Sequence, residues 1–194
     1  MILSITKNNL KRLFVAIKVK PEQSTINVFK SLRKSLYAQN IRWVDPENFH
    51  ITLKFLGDTY VEDIPIVSNV IANTVATKSS FDIELANTSI FGSRYKPRLI
   101  WFGCSNCQQL NVLADDLFCN LDDIGFSRDR QNFIPHLTIG RISLLRDKNV
   151  LNEQIANYKN VELQKIKIDK LYLLESILNK GGSNYEIINT YKLK

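Results

Sequence analysis

The chain contains two histidines, and both stand in the same short pattern: Phe49-His50-Ile51-Thr52-Leu53 and Pro135-His136-Leu137-Thr138-Ile139. Nine of the 194 residues are threonines. A Thr two places after each histidine arises by chance with a probability of roughly 0.002, so the recurrence is treated as signal rather than as a short-motif coincidence. Both copies lie in alternating runs rich in strand-forming residues. On a strand, His and Thr two apart project from one face, while Ile51, Leu53, Leu137 and Ile139 turn the other way into a core. The surroundings repeat as well. Strand Arg12-Leu13-Phe14, a helix and His50 match strand Arg98-Leu99-Ile100, a helix and His136, with an offset of 86 residues at both ends. A duplicated strand-helix-strand unit predicts an α+β fold of two lobes related by a pseudo-two-fold axis, with one HxT strand from each facing a shared groove.

The other elements follow from periodicity and punctuation. Lys11 to Val19 reads as a buried strand, ended by Pro21. Ile26, Phe29, Leu32, Leu36 and Tyr37 recur at helical spacing from Glu22 to about Gln39, with Lys30, Arg33 and Lys34 opposite them. A second helix is predicted near Val61 to Thr77, with Pro65 in its first turns. Phe81 to Leu85 alternates as a half-buried strand, and Phe91 to Arg98 is a basic loop or bent hairpin. Leu99 to Gly103 is the next strand. Leu110, Leu113, Leu117, Leu121 and Ile124 mark a third helix, closed by Gly125 as a left-handed cap. A weak helix covers Val150 to Tyr158. Val161 to Leu174 reads as one long strand, Gly181-Gly182 as a turn, and Tyr185 to Ile188 as the last strand. Met1 to Leu10 reads as a loose tail on a single bilobal domain spanning the chain.

Apolar residues make up 44% of the sequence and charged residues 23%, the balance of an ordinary globular protein. A formal charge of +7 suits an anionic partner such as nucleic acid without requiring one. The N-terminal apolar runs Met1 to Leu3 and Leu13 to Ile17 are too short for a signal-peptide core or a membrane span, which makes a cytoplasmic location the default. Cys104, Cys107 and Cys119 are an odd number and offer no disulfide framework. Cys104 and Cys107 form a CxxC, but neither histidine has ligand spacing to it, so it reads as structural, at a helix start, and no metal site is expected.

Two histidines facing one groove can supply a general base and a general acid near neutral pH. The hydroxyls of Thr52 and Thr138 can donate hydrogen bonds to an anion held between them. Displacement at phosphorus needs such a set: a base for the attacking oxygen, an acid for the leaving oxygen and donors for the remaining oxygens. There is no GxSxG elbow, Gly-rich phosphate loop, GxGxxG or HExxH pattern to suggest other chemistry.

The runs Arg12-Leu13-Phe14-Val15-Ala16-Ile17, Asn48-Phe49-His50-Ile51-Thr52-Leu53-Lys54-Phe55-Leu56-Gly57, Arg98-Leu99-Ile100-Trp101 and Phe133-Ile134-Pro135-His136-Leu137-Thr138-Ile139-Gly140-Arg141 resemble the RNA 2′,3′-cyclic phosphodiesterases. This family, also called 2′-5′ RNA ligases, belongs to the two-histidine HxTx phosphoesterases. The resemblance extends from about Arg12 to Tyr185. It implies two antiparallel sheets flanking a central cleft with helices outside, and hydrolysis of a terminal 2′,3′-cyclic phosphate on RNA to a 2′-phosphomonoester without metal or other cofactor. It also implies His50 as proton donor, His136 as proton acceptor and Thr52 and Thr138 on the phosphate oxygens. The implied partner is RNA ending in a cyclic phosphate, or a nucleotide, with no membrane or obligate protein partner. Reverse ligation, a phosphodiesterase of small cyclic nucleotides and a binding module without significant turnover remain open alternatives.

Further substrate contacts have two readings each. Lys54 shares the strand face of His50 and Thr52 by strict alternation, and either adds charge to the groove or snorkels at the strand end. Arg141 has the opposite parity from His136 and points away unless a bulge swings it back. Arg128 and Arg130 are contacts for RNA phosphates or solvated surface charge. Phe133, with Phe14, Trp43, Phe49 and Tyr95, is a candidate for stacking on a base, although most of these are expected in the core. Tyr185 is expected to pack.

Overall fold

The computed structural model describes residues 9–93, 95–127, 132–179 and 182–194. Among the described residues nine strands and four α-helices follow one another: β1 (Leu10–Lys18), α1 (Gln23–Ser35), β2 (Asn40–Trp43), β3 (His50–Tyr60), α2 (Ile64–Val75), β4 (Phe81–Gly92), β5 (Pro97–Ser105), α3 (Gln108–Asp122), β6 (His136–Leu144), α4 (Lys148–Asn157), β7 (Glu162–Ile168), β8 (Lys170–Asn179) and β9 (Gly182–Lys192). All strand pairings are antiparallel.

The strands form one sheet in the order β7-β4-β5-β6-β3-β1-β8-β9, whose two halves, β7-β4-β5-β6 and β3-β1-β8-β9, join where β3 meets β6. That junction is the single register pair Ile51–Leu137, the middle residues of the two HxT motifs. β2 lies outside this path, paired to β6. One face of the curled sheet is covered by helices. Val15 and Ile17 of β1, Ile100 and Phe102 of β5, Phe29 and Leu32 of α1, and Leu113 and Leu117 of α3 belong to one continuous buried cluster spanning both halves. The other face is open and carries a smaller cluster of Phe14, Ala16 and Leu174.

Local chemistry accounts for most element ends. Pro65 sits in the first turn of α2, where its missing N–H costs nothing. Gly125, at φ +96°, closes α3, and the N–H of Phe126 returns to the carbonyl of Leu121 at 3.0 Å. Asp147 caps α4 by accepting from the N–H groups of Asn149 and Val150 at 2.8 and 3.1 Å. α1 has no side-chain cap of its own. Gln164 of β7 serves instead, its Oε1 accepting from the Glu22 N–H at 2.8 Å and from the Thr25 hydroxyl at 2.7 Å.

Three readings of the sequence are corrected. The run from Val161 to Leu174 is two strands, because the chain passes at Asp169 from one end of the sheet, where β7 pairs with β4, to its other half, where β8 pairs with β1. Ile166 and Ile168 are buried in β7 and Leu171 and Leu173 in β8, so the apolar phase slips by one residue at Asp169 and Lys170, which marks the crossing. The match of Arg12 to Arg98 is one residue out. Lys18–His50, Ile17–Ile51 and Ala16–Thr52 are repeated as Gly103–His136, Phe102–Leu137 and Trp101–Thr138, which sets β1 and β5 85 residues apart. A slip of one reverses the facing of a whole strand, and the structural match superposes core residues Val15 and Ile17 on core residues Ile100 and Phe102. Finally, β1 begins at Leu10 and pairs with Tyr60 there, so the tail excludes Leu10; Met1 to Asn8 lie outside the described residues.

Candidate active site

The pair Ile51–Leu137 fixes the geometry of the site. In an antiparallel pair at this register His50 stands across from Thr138, and Thr52 across from His136, all four on the face opposite the buried Ile51 and Leu137. All four line one cleft of about 460 Å³. The rest of its wall is largely apolar, with Phe55, Phe91, Leu99, Phe118 and Phe133 prominent.

Each imidazole is held the same way. His50 Nδ1 lies 2.7 Å from the carbonyl of Asn48, and His136 Nδ1 lies 2.7 Å from the carbonyl of Ile134. A carbonyl only accepts, so Nδ1 carries the proton in both rings and Nε2 is left for the cleft. Aromatic rings hold the imidazoles in place: Phe14 and Tyr185 at 5.2 and 4.8 Å from His50, Phe91 and Trp101 at 4.8 and 5.8 Å from His136. Burial pushes both imidazoles below the ordinary value of 6.5. The carbonyl hydrogen bonds oppose that shift, and the positive charge of Arg141 adds to it for both rings, with His136 and Lys18 adding further at His50. Neutral imidazoles with Nε2 as acceptor therefore dominate at neutral pH.

Immediately after each threonine the strand carries a bulge. Pairing skips Leu53 in β3 and Ile139 in β6, the same place in the two copies. The extra residue reverses the facing of the residues after it. Lys54 is thereby turned to the helix-covered side, the correction to its reading by alternation. It is 2% exposed, its Nζ donates to the carbonyl of Ser127 at 2.6 Å and it stands 5.7 Å from the centre of the Phe118 ring. Its counterpart in the second copy is Gly140. The bulge in β6 swings Arg141 onto the open face, where it lines the cleft and exerts its charge on both histidines.

Of the other residues singled out, Phe133 lines the cleft and meets Phe118 edge-on at 5.8 Å. Phe49 is fully buried, and Phe49 and Trp43 both pack edge-on against Phe29. Phe14 lies beside His50. Tyr95 is 89% exposed, with Lys148 over its ring. Arg128 and Arg130 lie outside the described residues. Sequence reasoning missed Phe55, Phe91 and Trp101 as parts of the site and gave Tyr185 only a packing role. The register could have found Trp101, since it sits directly opposite Thr138. Cys107 stands at the N-cap of α3, as its reading as a helix start implies. Among the described residues no three His, Cys, Asp or Glu side chains come together in the manner of metal ligands, and no helix is long and apolar enough to cross a membrane.

Residues 17–101 match the family model for LigT-like phosphoesterases. A protein of Methanothermobacter thermautotrophicus named RNA 2′,3′-cyclic phosphodiesterase is 31% identical over 160 residues, covering 82% of this chain and 86% of its own. The chain belongs to the LigT-like phosphoesterase family. A second relative of the same name, from Methanocaldococcus jannaschii, is 30% identical and covers 93% of this chain and 99% of its own. Among solved structures, TT0787 of Thermus thermophilus superposes with a TM-score of 0.76 at 21% identity, covering 94% of this chain and 97% of its own. Escherichia coli LigT complexed with 3′-AMP also reaches 0.76, at 20% identity, with coverage of 95% and 99%. At such identities the likeness is one of fold: the LigT-like architecture is the curled antiparallel sheet with its four helices.

Proposed function

We propose that this LigT-like phosphoesterase hydrolyses the 2′,3′-cyclic phosphodiester at the end of an RNA to a 2′-phosphomonoester, acting on RNA in the cytoplasm. The observation that carries the reading is the Ile51–Leu137 register pair, which sets two His/Thr pairs across one cleft with both Nδ1 atoms tied back. The names of the M. thermautotrophicus and M. jannaschii relatives support the choice of substrate.

The cyclic phosphate lies between the two pairs. His136 Nε2 accepts the proton of a water whose oxygen attacks phosphorus. The bond from phosphorus to O3′ breaks, and O3′ takes the Nε2 proton of His50 in its imidazolium form, leaving a free 3′-hydroxyl, a phosphate on O2′ and a neutral His50. Neither threonine hydroxyl is engaged by a described residue, so both can donate to the phosphate oxygens as charge moves onto them. Arg141 supplies the positive charge that draws the anion in. The apolar wall with Phe55, Phe91 and Phe133 takes the terminal base.

The test is incubation of the protein, in EDTA, with a short RNA ending in a 2′,3′-cyclic phosphate, and identification of the product. A 2′-phosphate is expected, with His50→Ala and His136→Ala each slowing turnover by about 10² to 10⁴, the range for a lost acid or base. Full activity in either variant, or a 3′-phosphate product, contradicts the mechanism.

A further inference from the structure

Beside the cleft a second groove opens, with a volume of about 520 Å³. Arg33, from the last turn of α1, Arg42 and Trp43 of β2, Arg141 of β6, and Asn184 and Tyr185 of β9 line it. Arg141 belongs to both hollows, and Tyr185 lies against His50, so the groove continues directly from the catalytic pair.

Its charge is arranged in an unusual way. Arg42 and Arg141 are directly opposed across the β2–β6 pair. Like charges in that relation repel. Among the described residues none of Arg33, Arg42 and Arg141 makes an ion pair that would relieve the repulsion. The carboxylate at the rim, Asp45, is occupied in accepting the Glu47 N–H at 3.0 Å. The strand register thus holds guanidinium groups together with only the Asp45 carboxylate against three positive charges, a net positive lining of the kind that suits a polyanion. A single phosphate would fill little of the groove. The planar groups of Trp43 and Tyr185, and the amide of Asn184, offer surfaces for bases and sugars between phosphates.

We infer that this groove binds the RNA strand on the 5′ side of the terminal cyclic phosphate, with Arg33 and Arg42 on its backbone phosphates. The inference rests on the proposed catalytic role of the histidine pair and deepens it: the substrate is a single-stranded oligonucleotide rather than a small cyclic nucleotide. The chemistry needs only the terminal phosphate, and the groove supplies affinity for the nucleotides that precede it.

The test compares a 2′,3′-cyclic mononucleotide with a short oligonucleotide bearing the same end, in the wild type and in Arg33→Gln/Arg42→Gln. Both arginines are exposed, and a thermal melt checks that the variant is folded. The wild type is expected to prefer the oligonucleotide, and the variant to lose about tenfold in kcat/KM on it through KM, with turnover of the mononucleotide unchanged. The log–log salt slope for the oligonucleotide should flatten by about 1.4, two contacts at about 0.7 each. A folded variant with unchanged KM and salt slope overturns the inference, as does a wild type that treats both substrates alike. Fluorescence anisotropy of a labelled oligonucleotide ending in a 2′-phosphate provides a readout that needs no turnover. If neither substrate is cleaved, the catalytic reading fails, and loss of binding in the variant still supports the groove while equal binding refutes it.

Discussion

Replacing Gly140 by alanine tests how β2 is seated on β6. A Cβ at Gly140 would lie 2.9 Å from Ile41 Cγ2 and 3.2 and 3.3 Å from Cε3 and Cζ3 of Trp43. The methyl carbon of Ile41 is one bond from its branch point, and the indole is pinned edge-on against the buried Phe29 at 5.7 Å. Neither neighbour is a flexible chain end. Relief requires β2 to move off β6 or a side chain to leave its rotamer, at a cost of about 1–3 kcal/mol. Alanine recovers about 0.4–1 kcal/mol by restricting the unfolded chain, which at the middle of both ranges leaves a net loss of about 1.3 kcal/mol. For a chain of this length that is a drop of about 3–5 °C in Tm. Differential scanning calorimetry reads it directly. A Tm equal to or above that of the wild type would refute the reasoning and would mean that β2 rides loosely, so that the opposition of Arg42 to Arg141 is not fixed by backbone contact.

The histidines predict a pH dependence whose sign can be worked out. In the proposed mechanism the base must be neutral and the acid protonated, and both pKa values lie below 6.5 in the free protein. Above 6.5 the acid loses its proton, so kcat/KM should fall with rising pH by up to about tenfold per unit, with its optimum on the acid side. A bound phosphate anion favours both imidazolium forms, so the kcat profile should be displaced to higher pH; coincident profiles would contradict this. Because the chain has only two histidines, proton NMR of the imidazole resonances should show two midpoints below 6.5 that both rise on addition of inorganic phosphate. Lys54→Met should leave KM unchanged and lower stability by about 1–3 kcal/mol, the cost of an unpaired Ser127 carbonyl, as read by urea denaturation. In the CxxC, the hydrogen bond between the two sulfurs holds the Cys107 thiol low and, with burial, pushes Cys104 up. Iodoacetamide at about pH 8 should therefore modify Cys107 before Cys104, as mapped by mass spectrometry.

The sequence conveyed the parts of this molecule that depend on period and punctuation. His50 and Thr52, like His136 and Thr138, share a face because a strand alternates, and no later event in the chain disturbs residues only two apart. The four helices follow from apolar spacing, with Pro65 and Gly125 marking a start and a stop. What alternation cannot register is an inserted residue. Leu53 and Ile139 are ordinary apolar strand residues, and the bulge at each arises from how β3 and β6 meet their neighbours. Everything inferred by parity beyond them is inverted, which is why Lys54 read as a cleft residue and Arg141 as pointing away. The break at Asp169, by contrast, leaves a mark in the sequence, since Ile168 and Leu171, buried on either side of it, stand three apart where one continuous strand would keep them at an even spacing. β2 is short, and its partner β6 lies about a hundred residues on in the sequence.

The two bulges have a consequence for the direction in which a substrate lies. Two equivalent His/Thr pairs alone would accept a phosphodiester in either of two orientations related by the local dyad, and each histidine would serve as acid half the time. The residues that the bulges bring onto the open face are not equivalent: Phe55 comes after one pair and Arg141 after the other, and one is apolar where the other is cationic. The floor of the cleft thus has a polarity that the two His/Thr pairs lack. A nucleotide, with a flat uncharged base at one end and a charged backbone at the other, senses that polarity and loses the choice of orientation. Division of labour between the two imidazoles would then be imposed by the open-face position, Phe55 in one strand and Arg141 in the other, at which the duplicated strands differ.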